Sequence, residues 1–334
     1  MEPSILSKRI LRELCTNSRV TITELSKKYK LSRKSANERI KALEKELGLK
    51  YVLELNYAAA GFTTLRILKV KFKKMPGLEI LKNVLSESKI VQFAATTKGH
   101  FDMIIFTLAK ESREYFKWEV GLCTLLAKYG VNTSSSEVTL VHLGFMPINN
   151  ELVKESHLKD IYKKIIIELN QNSRMKLREL SRRLGLGEEL VKYYIKKLGK
   201  EKIILRYTAI VTKPPLRYNF VYFFNYTIKE GLEKRVQNER REMYFKEPDE
   251  FPTLNEFQLM FSTTGSDASF TWALYDNYET GLKQSVFTHD RIYRVDSPLS
   301  RYAVIENVVK GDMPLRNIDM KENYDITLGG IADV

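Results

Sequence analysis

Arginine, lysine, serine and asparagine crowd the stretch from Ser32 to Lys45, which carries Ser32, Arg33, Lys34, Ser35, Asn37, Arg39, Lys41 and Lys45. Those residue types suit a polyanion whose edges can be read. Arg and Asn offer bidentate hydrogen bonds to guanine and adenine, while Lys, Ser and a helix N-terminus bind phosphate. A second set stands later in the chain: Arg182, Arg183, Lys192, Tyr193, Lys196 and Lys197. The competing reading is a pair of solvated basic faces, which is what most charged helix surfaces are.

Other chemistry has little support. The four histidines, His100, His142, His157 and His289, share no spacing, and none sits in a Ser/His/Asp or HExxH pattern. Cys15 and Cys123 each lie inside an apolar helical pattern without a CxxC or Cys/His partner, so buried thiols are expected and disulfides and zinc are not. No catalytic residue, metal or cofactor is expected. Two hairpin turns, Gly99 to Asp102 and Gly265 to Asp267, read from their residues only as chain reversals.

A chain of 334 residues has room for several cores, and 43% apolar with 29% charged residues is ordinary for a soluble protein. No apolar run approaches the ~18 to 20 residues of a membrane span, and the N-terminus has no signal-peptide core, so a cytoplasmic protein without a membrane partner is expected. The net charge of +14 is localised. Residues 1–56 hold 13 Lys/Arg against 7 Asp/Glu, and residues 157–213 hold 15 against 6. The positive field lies where nucleic acid would bind.

The elements that must position these groups are legible. Leu25, Tyr29 and Leu31, then Ala36, Ile40, Leu43 and Leu47, recur at helical spacing on either side of a tight turn. Thr21 with Glu24 predicts a capping box, and Ser32 is placed to cap the following helix. A shift of 155 residues lays a second copy over the first without a gap. Ile10, Leu14, Asn17, Ser18, Arg19, Glu24, Leu25, Ser26, Leu31, Ile40, Lys41 and Leu43 recur as Ile165, Leu169, Asn172, Ser173, Arg174, Glu179, Leu180, Ser181, Leu186, Ile195, Lys196 and Leu198. After each copy comes a β-like run, 51–56 and 203–211, expected as a wing beside its own helices.

Between the copies the pattern predicts strand 63–73, helix 76–86, strands 90–97 and 101–108, helix 112–129 and strand 136–145, a βαββαβ order. The same order returns as strand 219–228, helix 231–242, strands 257–263 and 269–275, helix 278–288 and strand 301–309, with an inserted acidic loop at 246–256. The expected fold class is α+β, two tandem units, each a winged helix-turn-helix (1–57 and 157–213) followed by a ferredoxin-like βαββαβ domain (61–146 and 217–310), with a tail at 311–334.

LRELCTNSRVTITELSKKYKLSRKSANERIKALE resembles the helix-turn-helix of the Lrp/AsnC (feast/famine) transcription regulators. Tyr207-Thr-Ala-Ile-Val211, Ala60-Gly61-Phe62 and the Gly99 to Asp102 turn resemble further signatures of that family. The resemblance implies double-stranded DNA as partner, a homo-oligomer, most simply a dimer, and an amino-acid-type effector near Gly99, Asp102, Gly265 and Asp267. The sirohaem decarboxylases share this architecture, but their histidine-, tyrosine- and tryptophan-rich strand pair is missing from VQFAATTKGHFDMIIF and FQLMFSTTGSDASFTW, so a non-enzyme is expected. An architectural DNA-coating or transcription-machinery adaptor protein is the other reading.

The two copies differ where it matters. Gly187-Glu188-Glu189 stands where the first copy has Ser32-Arg33-Lys34, and carboxylates at a helix N-terminus repel the phosphates that this end would approach. The first copy is therefore expected to read DNA and the second mainly to hold it. The βαββαβ domains are expected to pair by joining or stacking sheets and so to set the distance between the winged helices.

Overall fold

The computed structural model describes residues 5–143, 147–212, 218–225, 257–265, 268–275 and 300–311. In chain order the elements are α1 (Ile5–Thr16), α2 (Ile22–Lys28), α3 (Arg33–Leu47), β1 (Leu49–Leu55), β2 (Thr64–Phe72), α4 (Leu78–Ser86), β3 (Val91–Gly99), β4 (Met103–Ala109), α5 (Ser112–Leu125) and β5 (Val131–Leu143). They continue as α6 (Asn150–Glu155), α7 (Asp160–Gln171), α8 (Leu177–Leu184), α9 (Glu188–Lys200), β6 (Ile204–Val211), β7 (Tyr218–Asn225), β8 (Phe257–Gly265), β9 (Ala268–Tyr275) and β10 (Ser300–Lys310). The expected helices 231–242 and 278–288, the acidic loop 246–256, Asp267 and the tail beyond Gly311 lie outside the described residues.

These elements sort into two units that do not follow chain order, one collecting both three-helix copies and the other both sets of sheet strands. In the helical unit, Thr21 Oγ1 accepts the Glu24 N–H at 3.1 Å and Glu24 Oε2 accepts the Thr21 N–H at 2.7 Å, the reciprocal capping box. Ser32 Oγ accepts the Ser35 N–H at 3.0 Å, and Gly48, with φ of 58°, ends α3 in the left-handed conformation that glycine enters without penalty. Ile10, Leu14, Leu25, Ala36, Ile40, Leu43 and Leu47 form the buried face, and Tyr162, Ile165, Ile166, Leu169, Leu180, Val191 and Leu198 do the same in the second copy. Ahead of the second copy lies the short α6. Asn149 caps it by accepting the Leu152 N–H at 2.8 Å, and it buries Leu152 and Val153.

The wings differ from expectation. β1 and β6 do not fold back as separate wings beside their own helices; they pair with each other, antiparallel, with Leu49 opposite Val211 and Glu54 opposite Arg206. The reason is that a single strand leaves a row of backbone groups without partners, and the other copy supplies the matching row.

In the second unit the first copy contributes the sheet order β3-β4-β2-β5, the antiparallel ferredoxin-like arrangement, and the second contributes β8-β9-β7-β10. The sheets join edge to edge, β5 to β8 and β10 to β3, closing an eight-stranded barrel. Leu68, Val70, Leu81, Leu85, Val91, Met103, Ile105, Leu122 and Leu126 pack α4 and α5 onto the first copy's sheet. β5 starts at Val131, ahead of the expected 136, because Val131 to Ser135 stay in register with Phe72 to Leu68 of β2 despite their polar sequence. The α5 helix ends at Leu125, and a single 3-10 turn, Ala127–Tyr129, replaces its expected last turn.

Candidate nucleic-acid interface

On α3 the positions Ala36, Ile40, Leu43 and Leu47 face inward, so the opposite stripe carries Arg33, Lys34, Glu38, Lys41 and Lys45, all exposed, with Asn37 half-buried at its edge. Two expected members are less exposed. Arg39 precedes the buried Ile40 and is half-buried, its Nη1 donating to Ser7 Oγ of α1 at 3.4 Å, so it braces the bundle and does not point outward. Ser35 is half-buried, and its N–H is spent on the Ser32 cap. Among the expected residues the exposed set is Ser32, Arg33, Lys34, Lys41 and Lys45, with Ser35 and Asn37 half-buried beside it.

The matching stripe of α9 carries Lys192, Tyr193, Lys196 and Lys200, with Lys197 half-buried. Its first turn is acidic: Glu188 and Glu189 are exposed, Gly187 provides no side-chain cap, and Glu189 lies 3.4 Å from Lys192 Nζ, drawing off part of that charge. Tyr193 is 54% exposed and rests edge-on against Tyr194 with centroids 5.4 Å apart. The phenols of Tyr162 and Tyr193, followed by the Glu201 carboxylate, hold the Lys197 ammonium above its usual range. In α8, Arg182 is exposed, whereas Arg183 bonds Glu179 at 2.8 Å and Glu168 at 3.1 Å; those carboxylates raise its pKa and commit it to the bundle more than to a ligand.

Of the candidate effector residues, Asp102 is fully engaged. Its Oδ1 accepts Lys71 Nζ and its Oδ2 accepts the Phe72 N–H, both at 2.8 Å, so the carboxylate ties the hairpin to β2. Gly99 stands opposite Ala303 of β10, and Gly265 stands opposite Val138 of β5. Both glycines therefore lie at the seams where the two copies' sheets join. Among the described residues no group of three or more His, Cys, Asp and Glu could hold a metal ion, and no helix is long and apolar enough to cross a membrane.

The repeated Asn-Ser-Arg of 17–19 and 172–174 is visible as identity between the copies, and in the structure it brings Ser18 Oγ to 2.7 Å from Ser173 Oγ.

Residues 4–46 and 158–204 both match the winged helix-turn-helix DNA-binding family. The HTH-type transcriptional regulator FL11 of Pyrococcus furiosus is 37% identical over 79 residues, 24% of this chain and 52% of that protein. The chain thus spans about half the length of the first curated relatives it matches. The proline dehydrogenase transcriptional activator of Rhodobacter capsulatus is 31% identical over 114 residues, 33% of this chain and 73% of that protein. Among solved structures, the siroheme decarboxylase NirDL covers 98% of this chain and 99% of its own with a TM-score of 0.58 at 11% identity, a likeness of fold alone. With the helix-turn-helix matched in both copies and one relative matched across most of its length, the chain belongs to the Lrp/AsnC family of transcription regulators and carries the family's unit twice.

Proposed function

We propose that this chain is a DNA-binding transcription regulator that reads its site mainly through α3, with α9 as an electrostatic or altered-specificity partner. The observation that carries the reading is the contrast at equivalent positions of two like-built helices: exposed Arg33 and Lys34 in one, exposed Glu188 and Glu189 in the other. Helices of this type enter the major groove by their N-terminal residues, and paired ones meet half-sites about 34 Å apart or a multiple of that. At that end α3 offers a cap, two cations and Asn37, whereas α9 offers two carboxylates that phosphate repels.

One chain then acts as a covalent pseudo-dimer on a site whose halves differ, and self-association would bring four winged helices together. The seams at Gly99 and Gly265 are where a small-molecule effector would act, through the closure of the barrel. The fold shared with NirDL is not a ground for proposing that protein's chemistry here, since the expected histidine-, tyrosine- and tryptophan-rich strand pair is missing from the sequence. Net positive charge on both copies also suits a DNA-coating protein, and footprinting of the full-length protein on genomic fragments it enriches separates the two. A single short protected site is the expected result. Protection that spreads with concentration, or no protection at all, would overturn the proposal.

A further inference from the structure

We infer that the repeated Asn-Ser-Arg turn is a clasp that fixes the two recognition helices in one geometry, so that the spacing of half-sites is set within the helical unit itself. The inference rests on the DNA-reading proposal above and names the residues that position the readers.

The strand pair has the register of an isologous interface. Val52 faces Thr208 and Leu53 faces Tyr207, and Thr208 and Tyr207 are the counterparts, 155 residues on, of Leu53 and Val52. The pseudo-twofold axis therefore runs through the middle of the β1–β6 ribbon, as a true axis does in a symmetric dimer. The serines meet across the same relation. Ser18 and Ser173 are fully buried, and a buried hydroxyl needs a partner; each finds its own counterpart at 2.7 Å. Their backbone N–H groups reach the opposite copy's strands, Ser18 to the Tyr207 carbonyl at 2.8 Å and Ser173 to the Tyr51 carbonyl at 3.0 Å.

The flanking residues complete the clasp. Asn17 Oδ1 accepts the Arg19 N–H and Asn172 Oδ1 accepts the Arg174 N–H, both at 3.0 Å, so each asparagine shapes its turn. Arg19 donates through Nε to the Ser173 carbonyl at 2.8 Å and stacks 4.0 Å above the Tyr207 ring. Arg174 lies 5.0 Å above the Tyr51 ring and donates to its hydroxyl at 3.3 Å. Tyr51 in turn donates to Glu44 of α3 at 2.6 Å, and burial followed by that carboxylate pushes its pKa up. A turn of the second copy is thus linked through Tyr51 to the first recognition helix. With hydrogen bonds and rings running between copies, α3 is tied to the second copy and does not swing independently of it.

The test uses full-length protein and a pool of duplexes in which two half-sites are separated by spacers of every length over about one helical turn, ~10 bp. Wild type should enrich one narrow spacing. Arg19→Lys/Arg174→Lys keeps both charges but removes the Nε donor and the planar stack, so it should broaden the spacing by several base pairs while affinity for a single half-site duplex stays within about twofold. Arg19→Ala/Arg174→Ala should broaden it further. A folded Lys variant with spacing as narrow as wild type would overturn the inference, as would a wild type that binds duplex with no spacing preference. A wild type that binds no duplex would overturn the DNA-reading proposal beneath it.

Discussion

Glu54 and Arg206 face each other in the ribbon that joins the two copies, with Oε2 and Nε 2.7 Å apart and side chains only 10% and 8% exposed. Such a pair is a sensitive place to cut. Glu54→Leu leaves a guanidinium with little access to water and without this carboxylate, and breaking a buried pair from one side costs about 3–5 kcal/mol. For a unit of this size that corresponds to a fall in Tm of roughly 6–20 °C, at about 2–4 °C per kcal/mol. Glu54→Leu/Arg206→Met removes both charges together and should recover most of the loss, since a well-packed apolar pair often replaces a buried ion pair at nearly no net cost. The assay is denaturant and thermal unfolding of full-length protein by far-UV circular dichroism, completed with Arg206→Met to close a double-mutant cycle. If Glu54→Leu costs less than about 1 kcal/mol, the value of an exposed pair, or if the double variant simply sums the single losses, the ribbon is not the buried joint described here.

Other outcomes follow from the same geometry. Lys34→Ala should flatten the slope of log affinity against log salt by about 1, near 0.9 for the one phosphate left without its cation, while Glu188→Lys/Glu189→Lys should steepen it by about 2; fluorescence anisotropy across salt concentrations measures both. The backbone N–H and the hydroxyl of Thr21 hold the Glu24 carboxyl below its ordinary range. Because that folded-state pKa lies below the unfolded one, its contribution is present at neutral pH and fades as pH falls through the folded value; Thr21→Val removes the hydroxyl but keeps the backbone N–H, so it should raise the Glu24 titration in NMR only part of the way. Sirohaem incubated with the protein under reducing or oxidising conditions should leave its absorbance spectrum unchanged, and a new band or product would reopen the enzyme reading.

The recognition helix is legible in the sequence because every local signal agrees: Ala36, Ile40, Leu43 and Leu47 at helical period, Ser32 as cap and Gly48 as stop. Repetition then supplies the second copy. The β1–β6 pairing is not legible, since a strand pattern such as Val52 to Leu55, with Glu54 inside it, marks a strand and leaves open whose edge it meets. Arg39 reads as a surface residue because helical period alone cannot place Ser7 of α1 beside it. The six-residue α6 is too short for any period to register, leaving Asn149 as its one signal. Ser18 and Ser173 are visible as a repeat, yet their meaning depends on an axis that only the folded ribbon defines.

The asymmetry between the two helices is best tested by discrimination and not by affinity. Full-length protein is used to select a site from random duplexes, and every single-base variant of that site is then titrated with wild type, Arg33→Ala/Lys34→Ala and Lys192→Ala/Lys196→Ala. The first pair of substitutions should erase most of the preference between bases in one half-site, whereas the second should weaken all variants about equally. Loss of discrimination concentrated in the Lys192/Lys196 variant, with Arg33→Ala/Lys34→Ala still telling the bases apart, would contradict the account.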